Sequence, residues 1–364
     1  PQKHAMAELI ETPLTKALGI KHPIFLAGMN VAAGPELAAA VTNAGGLGVI
    51  GGVGYTPKFL REQIQLLKKD LVDKNAPFGV DLLLPQVGGS ARKTNYDYTG
   101  GQLPELIDII IEEGVRLFVC AIGIPPRWAV DKLHAANIRV MNMIGAPEHV
   151  RKALGAGVDY ICAQGGEGGG HTGDVPTSVL IPKVVDLCRG QVSPFDGQPV
   201  QVVAAGGIFD GRGLAAALAM GASAVWVGTR FICATEAGAP PRHQQGVLGA
   251  GYHDTVRTII FTGRPLRVLN NDYIKDWETN RAEEIRTLTS RGTLPVQHDF
   301  EGRVKEGKEI TFEERMTATP LLMGCAAGAV TEIAPAKKIV DDMVSQAITI
   351  MKQNATLIRP RARL

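Results

Sequence analysis

The sequence predicts an α/β fold, a (β/α)8 TIM barrel with a smaller, mainly helical cap inserted after strand eight. Three observations predict it. From residue 23 onward, short β-branched runs alternate with longer helical stretches through eight cycles, the mark of parallel strands joined by crossover helices. Most of the runs are four to six apolar residues without in–out alternation, as expected where both sheet faces are covered. A chain of 364 residues is long enough for one such barrel of roughly 250 residues with an appended segment.

The expected strands are residues 23–27, 47–50, 78–83, 116–120, 138–142, 159–163, 200–205 and 224–227. The helices between them carry their own punctuation. Pro35 suits the first turn of a helix ending at Gly45, because proline lacks the amide hydrogen that would go unpaired there. Asp210 is placed to cap a helix through Leu214, Ala217 and Leu218 that stops at Gly221. Residues 85–101, polar and glycine-containing, form a long loop after strand three that reads as a lid edge or a mobile segment. After Gly238 the rhythm breaks into charged helical stretches, residues 274–288 and 302–316. An apolar segment from Leu321 and a terminal helix over 334–352 follow.

The expected division is therefore a vector-derived scar and N-terminus over 1–7, the barrel over 8–237, the cap over 238–329, and over 330–364 a helix returning to the barrel with a basic tail. Pro1–Ala5 has no long apolar core ahead of Met6, so no secretory leader is expected.

Lys plus Arg number 38 against 36 Asp plus Glu, so charge gives no reason to expect a nucleic-acid or membrane-surface partner. The longest apolar stretch, 214–228, is interrupted by Gly221 and Ser223 and is too short to span a bilayer. Cys120, Cys162, Cys188, Cys233 and Cys325 show no C-x-x-C spacing and read as buried thiols of a reducing compartment. A small molecule is the expected partner.

Glycine, 43 residues in discrete clusters, points to backbone approaching a ligand. Strand seven ends in AAGGI (204–208) and strand eight in VGTRF (227–231). In a barrel these adjacent loops are where a phosphate sits. Gly206, Gly207 and Gly228 would let amides approach the anion, and Thr229 would add a hydroxyl; tight turns alone are the alternative. The loop after strand six, AQGGEGGGHTG (163–173), leaves Gln164 and His171 best placed to face a ligand, with Glu167 read as an exposed loop carboxylate. Residues 168–173 fit G-x-G-x-x-G, but Asp174, Val175 and Pro176 follow instead of a helix, so a dinucleotide fingerprint is rejected. His171 on a flexible loop is either solvated or catalytic. The remaining histidines have no partner at metal-ligand spacing, and no metal is expected.

Five motifs in this order, IFLAGM (24–29), FGVDLLLP (78–85), AQGGEGGGHTG, AAGGIFDGRG (204–213) and VGTRF, resemble the nitronate monooxygenase family, formerly called 2-nitropropane dioxygenases. The likeness runs from about residue 12 to 235 and more faintly through LLMGCAAGAV (321–330). It implies a bound FMN, with Gly28 and Met29 beside the flavin ring, Gln164 and Gly169 at ring and ribityl contacts, and Gly207, Gly228 and Thr229 at the phosphate. Two phosphate loops without an adenine-binding unit also suit FMN rather than FAD. His171 matches the family's active-site histidine. Asp81 stands near the ring where the family usually has Asn; read as a carboxylate, it accepts from flavin N3–H but cannot donate. The implied reaction is oxidation of an alkyl nitronate such as propionate 3-nitronate with O2, His171 acting as base when the substrate is a neutral nitroalkane. The alternatives are an NAD(P)H-dependent enoyl-thioester reductase on the same barrel and a flavin-binding protein without turnover. IMP dehydrogenases share the phosphate loops, but no cysteine nucleophile follows a suitable strand-six loop. Ala362-Arg363-Leu364 resembles a peroxisomal import tripeptide and predicts peroxisomal import in a eukaryote, a cytoplasmic protein otherwise.

Overall fold

The computed structural model describes residues 8–359. The scar expected over 1–7 and the import tripeptide at 362–364 lie outside them. In chain order the strands are β1 (Ile24–Leu26), β2 (Gly48–Gly51), β3 (Phe78–Leu84), β4 (Leu117–Gly123), β5 (Arg139–Ile144), β6 (Tyr160–Gln164), β7 (Gly170–His171), β8 (Gln201–Ala205), β9 (Ala224–Val227), β10 (Thr255–Thr258) and β11 (Leu266–Leu269).

Eight of these form one parallel sheet in the order β1-β9-β8-β6-β5-β4-β3-β2. The ring closes where β1 meets β2 at the parallel bridge between Phe25 and Leu47, with Leu26 N donating to Leu47 O at 2.9 Å. Alternate residues of each strand fill the interior: Phe25, Val49, Val119, Met141, Cys162, Val203 and Trp226 pack together, with Leu14 and Leu18 of the helix Pro13–Leu18 in the same cluster. The other faces meet the surrounding helices in a second, larger core. Two covered faces explain the non-alternating apolar runs.

Helix limits follow the sequence punctuation. The helix Pro35–Asn43 starts on its proline and is capped at Ala44, and Asp210 accepts from Gly213 N at 3.0 Å to open the helix Gly211–Ala219. The terminal helix Ala336–Ala355 lies against Gly211–Ala219, where Gln346 Oε1 accepts from Gly211 N at 2.7 Å.

The segment after β9 holds helices, as expected, and in addition a β-hairpin. Strands β10 and β11 pair antiparallel, and β11 then pairs with β7 from the strand-six loop, His171 opposite Leu266 and Gly170 opposite Arg267. The loop expected to be flexible is thus the third strand of a small sheet. The stretch 274–288 is two helices, Asp272–Asn280 and Ala282–Ser290, separated at Arg281, and 302–316 is likewise divided between Pro295–Lys305 and Phe312–Thr317. The segment has its own core of Ile260, Leu266, Val268, Ile274, Trp277, Ile285 and Leu288. The chain returns beside β9, where Ala334 N donates to Cys233 O at 3.1 Å. Among the described residues no helix is long and apolar enough to cross a membrane.

Candidate active site

The carboxyl ends of the barrel strands surround a cavity of about 420 Å³, within the range of small-molecule sites. Gly28, Met29, Asp81, Gln164, Gly169, His171, Gly206, Gly207, Gly228 and Thr229 all line it. Residues separated by up to 201 positions in the chain are thereby brought to one space, because each lies in or just after a parallel strand.

On one side the lining is backbone. Gly206 and Gly207 have φ of +96° and +73°, a region that disfavours any side chain, so the turn after β8 exists because both positions are glycine. Gly228 follows β9, and Thr229 opens a single helical turn; its Oγ1 accepts from Gly324 N at 2.9 Å and keeps its own proton to donate. Amides of two adjacent strand ends with a hydroxyl form a donor set suited to an anion. Gly28 serves close approach: a Cβ there would overlap Asp81 Oδ2.

Asp81 ends its side chain in a sealed position, 2% exposed, with Oδ1 lacking any hydrogen-bond partner. Burial pushes its carboxyl well above the usual carboxylate range. Burial therefore favours the protonated form, which carries one donor and one acceptor as the amide of Asn does, whereas the ionised form only accepts. Among the described residues Oδ1 has no partner, which leaves polar capacity for a ligand.

His171 is held from both sides. Its carbonyl accepts from Gln164 Nε2 at 2.8 Å, and its ring Nε2 lies 3.1 Å from Thr262 Oγ1, on the hairpin turn between β10 and β11. Burial first, and the Arg264 guanidinium second, lower its pKa to about 4, so the imidazole is neutral at physiological pH. Thr262 Oγ1 is also 3.3 Å from Arg264 O. Donation to that carbonyl lets His171 Nε2–H donate to Thr262 and leaves Nδ1 with a lone pair. Donation to Nε2 instead leaves Nδ1–H as a donor.

Glu167 is not an exposed carboxylate. It accepts from Thr177 N at 2.9 Å and Thr177 Oγ1 at 2.6 Å, capping the helix Thr177–Cys188, and its carbonyl accepts from Cys325 N at 2.9 Å. It pins the glycine loop between that helix and the segment 322–326. Sequence reasoning missed the cavity residues supplied from elsewhere. Tyr96 and Tyr98, with ring centroids 4.2 Å apart, bring the loop after β3 to the cavity as its edge. Thr262, Leu322 and His243, whose Nε2–H donates to Leu322 O at 2.7 Å, come from the segment after β9. The signals for them were the long loop 85–101, read as a lid edge, and the apolar run LLMGCAAG. Cys120, Cys162, Cys188 and Cys233 are buried and Cys325 is partly so, all as free thiols. Among the described residues no three His, Cys, Asp or Glu side chains are grouped to hold a metal.

Comparison with known proteins matches the nitronate monooxygenase family model over residues 11–346. The chain is 33% identical to a (3aS,4S,5R,7aS)-5-hydroxy-7a-methyl-1-oxo-octahydro-1H-indene-4-carboxyl-CoA dehydrogenase of Mycobacterium tuberculosis, covering 96% of this chain and 99% of that one. It is 32% identical to a probable nitronate monooxygenase of Staphylococcus saprophyticus over 73% of this chain and 80% of that one. The solved structure of FabK from Thermotoga maritima superposes with a TM-score of 0.75 at 31% identity, covering 96% of this chain and all of the other.

Proposed function

The chain belongs to the nitronate monooxygenase family of oxidoreductases, and on that premise we propose that it is an FMN-dependent enzyme oxidising an alkyl nitronate, such as propionate 3-nitronate, with O2 as the terminal acceptor. The observation that carries this reading is a neutral His171, braced by Thr262, in a cavity that a glycine cradle also lines. FMN fits the residues present: the amides at 206–207 and 228–229 with the Thr229 hydroxyl suit its single terminal phosphate. Asp81, sealed and unpartnered, and Gln164 supply polar atoms for the edge of a planar ring. When bound, FMN supplies the electron acceptor for the reaction.

The protein's own part is placement and proton handling. With Nδ1–H exposed to the cavity, His171 donates to a nitronate oxygen and holds the anion. In the other tautomer the Nδ1 lone pair takes the α-proton of a neutral nitroalkane. Thr262 makes both available because its hydroxyl has two acceptors to choose from. Met29 and the Tyr96–Tyr98 pair line the cavity beside these groups.

A second reading, oxidation or reduction of an acyl thioester, is favoured by one specific observation: the relative that this chain matches over 99% of its length is a carboxyl-CoA dehydrogenase. Anaerobic mixing of the purified protein with a nitronate and, separately, with NADH and NADPH while following the flavin spectrum separates the two. Rapid bleaching by the nitronate alone is expected. Bleaching by a nicotinamide with no response to nitronate would replace the first reading with the second. Release of FMN on denaturation is the prior check, and colourless protein that cannot be reconstituted with FMN would remove both.

A further inference from the structure

Beyond His171 the cavity does not end. Ala121, Ile122, Met143, Gln164 and His171 also line a second space of about 490 Å³ that runs from the catalytic cavity to the surface. Its walls carry Arg92, Lys152, Arg257 and Arg264 against two carboxylates, Glu148 and Asp174, with His149 beside them. Among the described residues none of the four cations lies within 4 Å of a carboxylate oxygen, although the chain pairs many of its other basic groups. Arg264 finds only the neutral Asn95 Oδ1, at 3.0 Å, and Arg257 Nε is sealed from solvent with no partner.

The hairpin sharpens the anomaly. Arg257 stands directly opposite Arg267 in the β10–β11 ladder, and like charges in that position destabilise a sheet. Arg267 satisfies itself on Gly166 O and Thr255 Oγ1, leaving Arg257 to face the cleft uncompensated. A sheet that spends stability on facing arginines, beside two further unpaired cations on separate loops and a lysine on a helix, is arranged for an anion that comes from outside.

We propose that this cleft binds the phosphate-bearing arm of a substrate or co-substrate whose reacting end enters the cavity past His171. The inference rests on the reading of that cavity as the reaction site and deepens it: a free nitronate would fill only the inner space, whereas a long ligand with several phosphate charges uses both. The spread of four cations along the cleft exceeds what one carboxylate requires. Guanidinium groups match phosphate oxygens two at a time. The same chemistry is offered by the carrier arm of an acyl-coenzyme A and by a nicotinamide dinucleotide.

The test is calorimetric titration of the flavin-loaded protein with free coenzyme A and, separately, with NADPH. The wild type is compared with Arg264→Gln and with the double variant Arg92→Gln, Lys152→Gln, whose two side chains are exposed. Flavin content is measured on every sample. One of the two ligands binds the wild type, more weakly as salt rises, and each variant weakens it roughly ten- to hundredfold. Binding of coenzyme A assigns the arm to a thioester, and binding of NADPH assigns it to a hydride donor. Failure of both ligands to bind by roughly 1 mM, or binding that the variants leave unchanged, overturns the site. A protein that holds no flavin yet binds coenzyme A through these residues would sink the FMN reading and keep the cleft.

Discussion

The barrel rim brings backbone to the cavity at Gly28, Gly206, Gly207 and Gly228, beside side chains such as Asp81 and His171, whereas the segment after β9 contributes the side chains of Thr262, His243 and Leu322. The two walls rest on unequal foundations. Behind the rim are a packed interior from Leu14 to Trp226 and a continuous helix–sheet core. Behind Thr262 is a seven-residue cluster around Trp277. A wall supported by a large core can give up side chains and accept unfavourable backbone, while one supported by a small core has to hold its position through particular contacts.

The largest effect is expected where the two walls meet. His171→Ala removes the imidazole that Thr262 of the hairpin braces, at a residue whose backbone carbonyl Gln164 of β6 holds. General-base catalysis is worth roughly 10²–10⁴-fold, so the loss on a neutral nitroalkane should exceed the loss on its nitronate by about that factor, where both are used. Reductive half-reaction rates for both forms, measured after confirming flavin content, decide it; equal losses would leave His171 with positioning alone. Because burial holds the imidazole at about 4, the wild-type acid limb should fall near that value. In stability the sign follows from proton counting. The folded chain binds fewer protons at His171 than the unfolded one between about 4 and 6.5, so this contribution is full above 6.5 and is lost as pH falls toward 4.

Next is the small core itself. Trp277 is fully buried, with the Arg281 guanidinium 3.4 Å above its ring. Trp277→Ala should cost about 3–5 kcal/mol. The damage should be local: hydrogen exchange in β10, β11 and the helix Asp272–Asn280 accelerates while β3–β6 keep their protection. With Thr262 loosened, the His171 pKa should rise toward 6.5. Equal acceleration in barrel and hairpin would show that the two walls unfold as one unit and end the distinction.

The same inequality explains what was legible in the sequence. Each barrel strand lies within three residues of its expected limits, because burial on both faces demands apolar runs such as Val202–Ala205. The glycine clusters were legible for a related reason: a ligand approached by backbone leaves its mark locally. The hairpin was not. TVRT and LRVL each place an arginine inside a strand, a composition that suits a site better than a sheet, and their partner Gly170–His171 lies about 95 positions away. Thr262 contacts His171 across 91 positions, and no local pattern encodes that pairing. The break at Arg281 was hidden because the apolar spacing continues through it, Ile274 and Trp277 before, Ile285 and Leu288 after.

On the barrel side, Asp81 tests whether the large core tolerates a titratable group by keeping it neutral. Its folded pKa is raised by burial, so its contribution is full below the unfolded value near 3.8 and declines as pH rises toward the folded one. Across that window the wild type should lose about 1.4 kcal/mol per pH unit relative to Asp81→Asn, whose amide keeps one donor and one acceptor without titrating. Chemical denaturation of both proteins from pH 4 to 8 measures the difference. Parallel curves would mean that Asp81 is ionised in the folded state and that an unrecognised partner holds it.

The smallest effect concerns backbone strain beside Met29. Val31 has φ of +57°, a conformation that β-branched residues avoid, and its side chain is 57% exposed. The loop is fixed around it: Val31 N donates to Asn30 Oδ1 at 3.1 Å, Ala33 N to Met29 O at 2.8 Å, and Gly238 N to Ala32 O at 3.1 Å. The left-handed conformation costs a residue with a Cβ roughly 1–2 kcal/mol. Val31→Gly removes that cost, forfeits little burial, and adds back roughly 0.5–1 kcal/mol of unfolded-state entropy. A net gain of up to about 1 kcal/mol is expected, which for a chain of this size moves the thermal midpoint by only about one to two degrees. If the strain serves to press Met29 toward the cavity, the same substitution loosens the grip on flavin, so stability and flavin retention should move in opposite directions. A variant that loses both would show that Val31 holds the loop through its side chain, and the rim would then rely on particular contacts just as the opposite wall does.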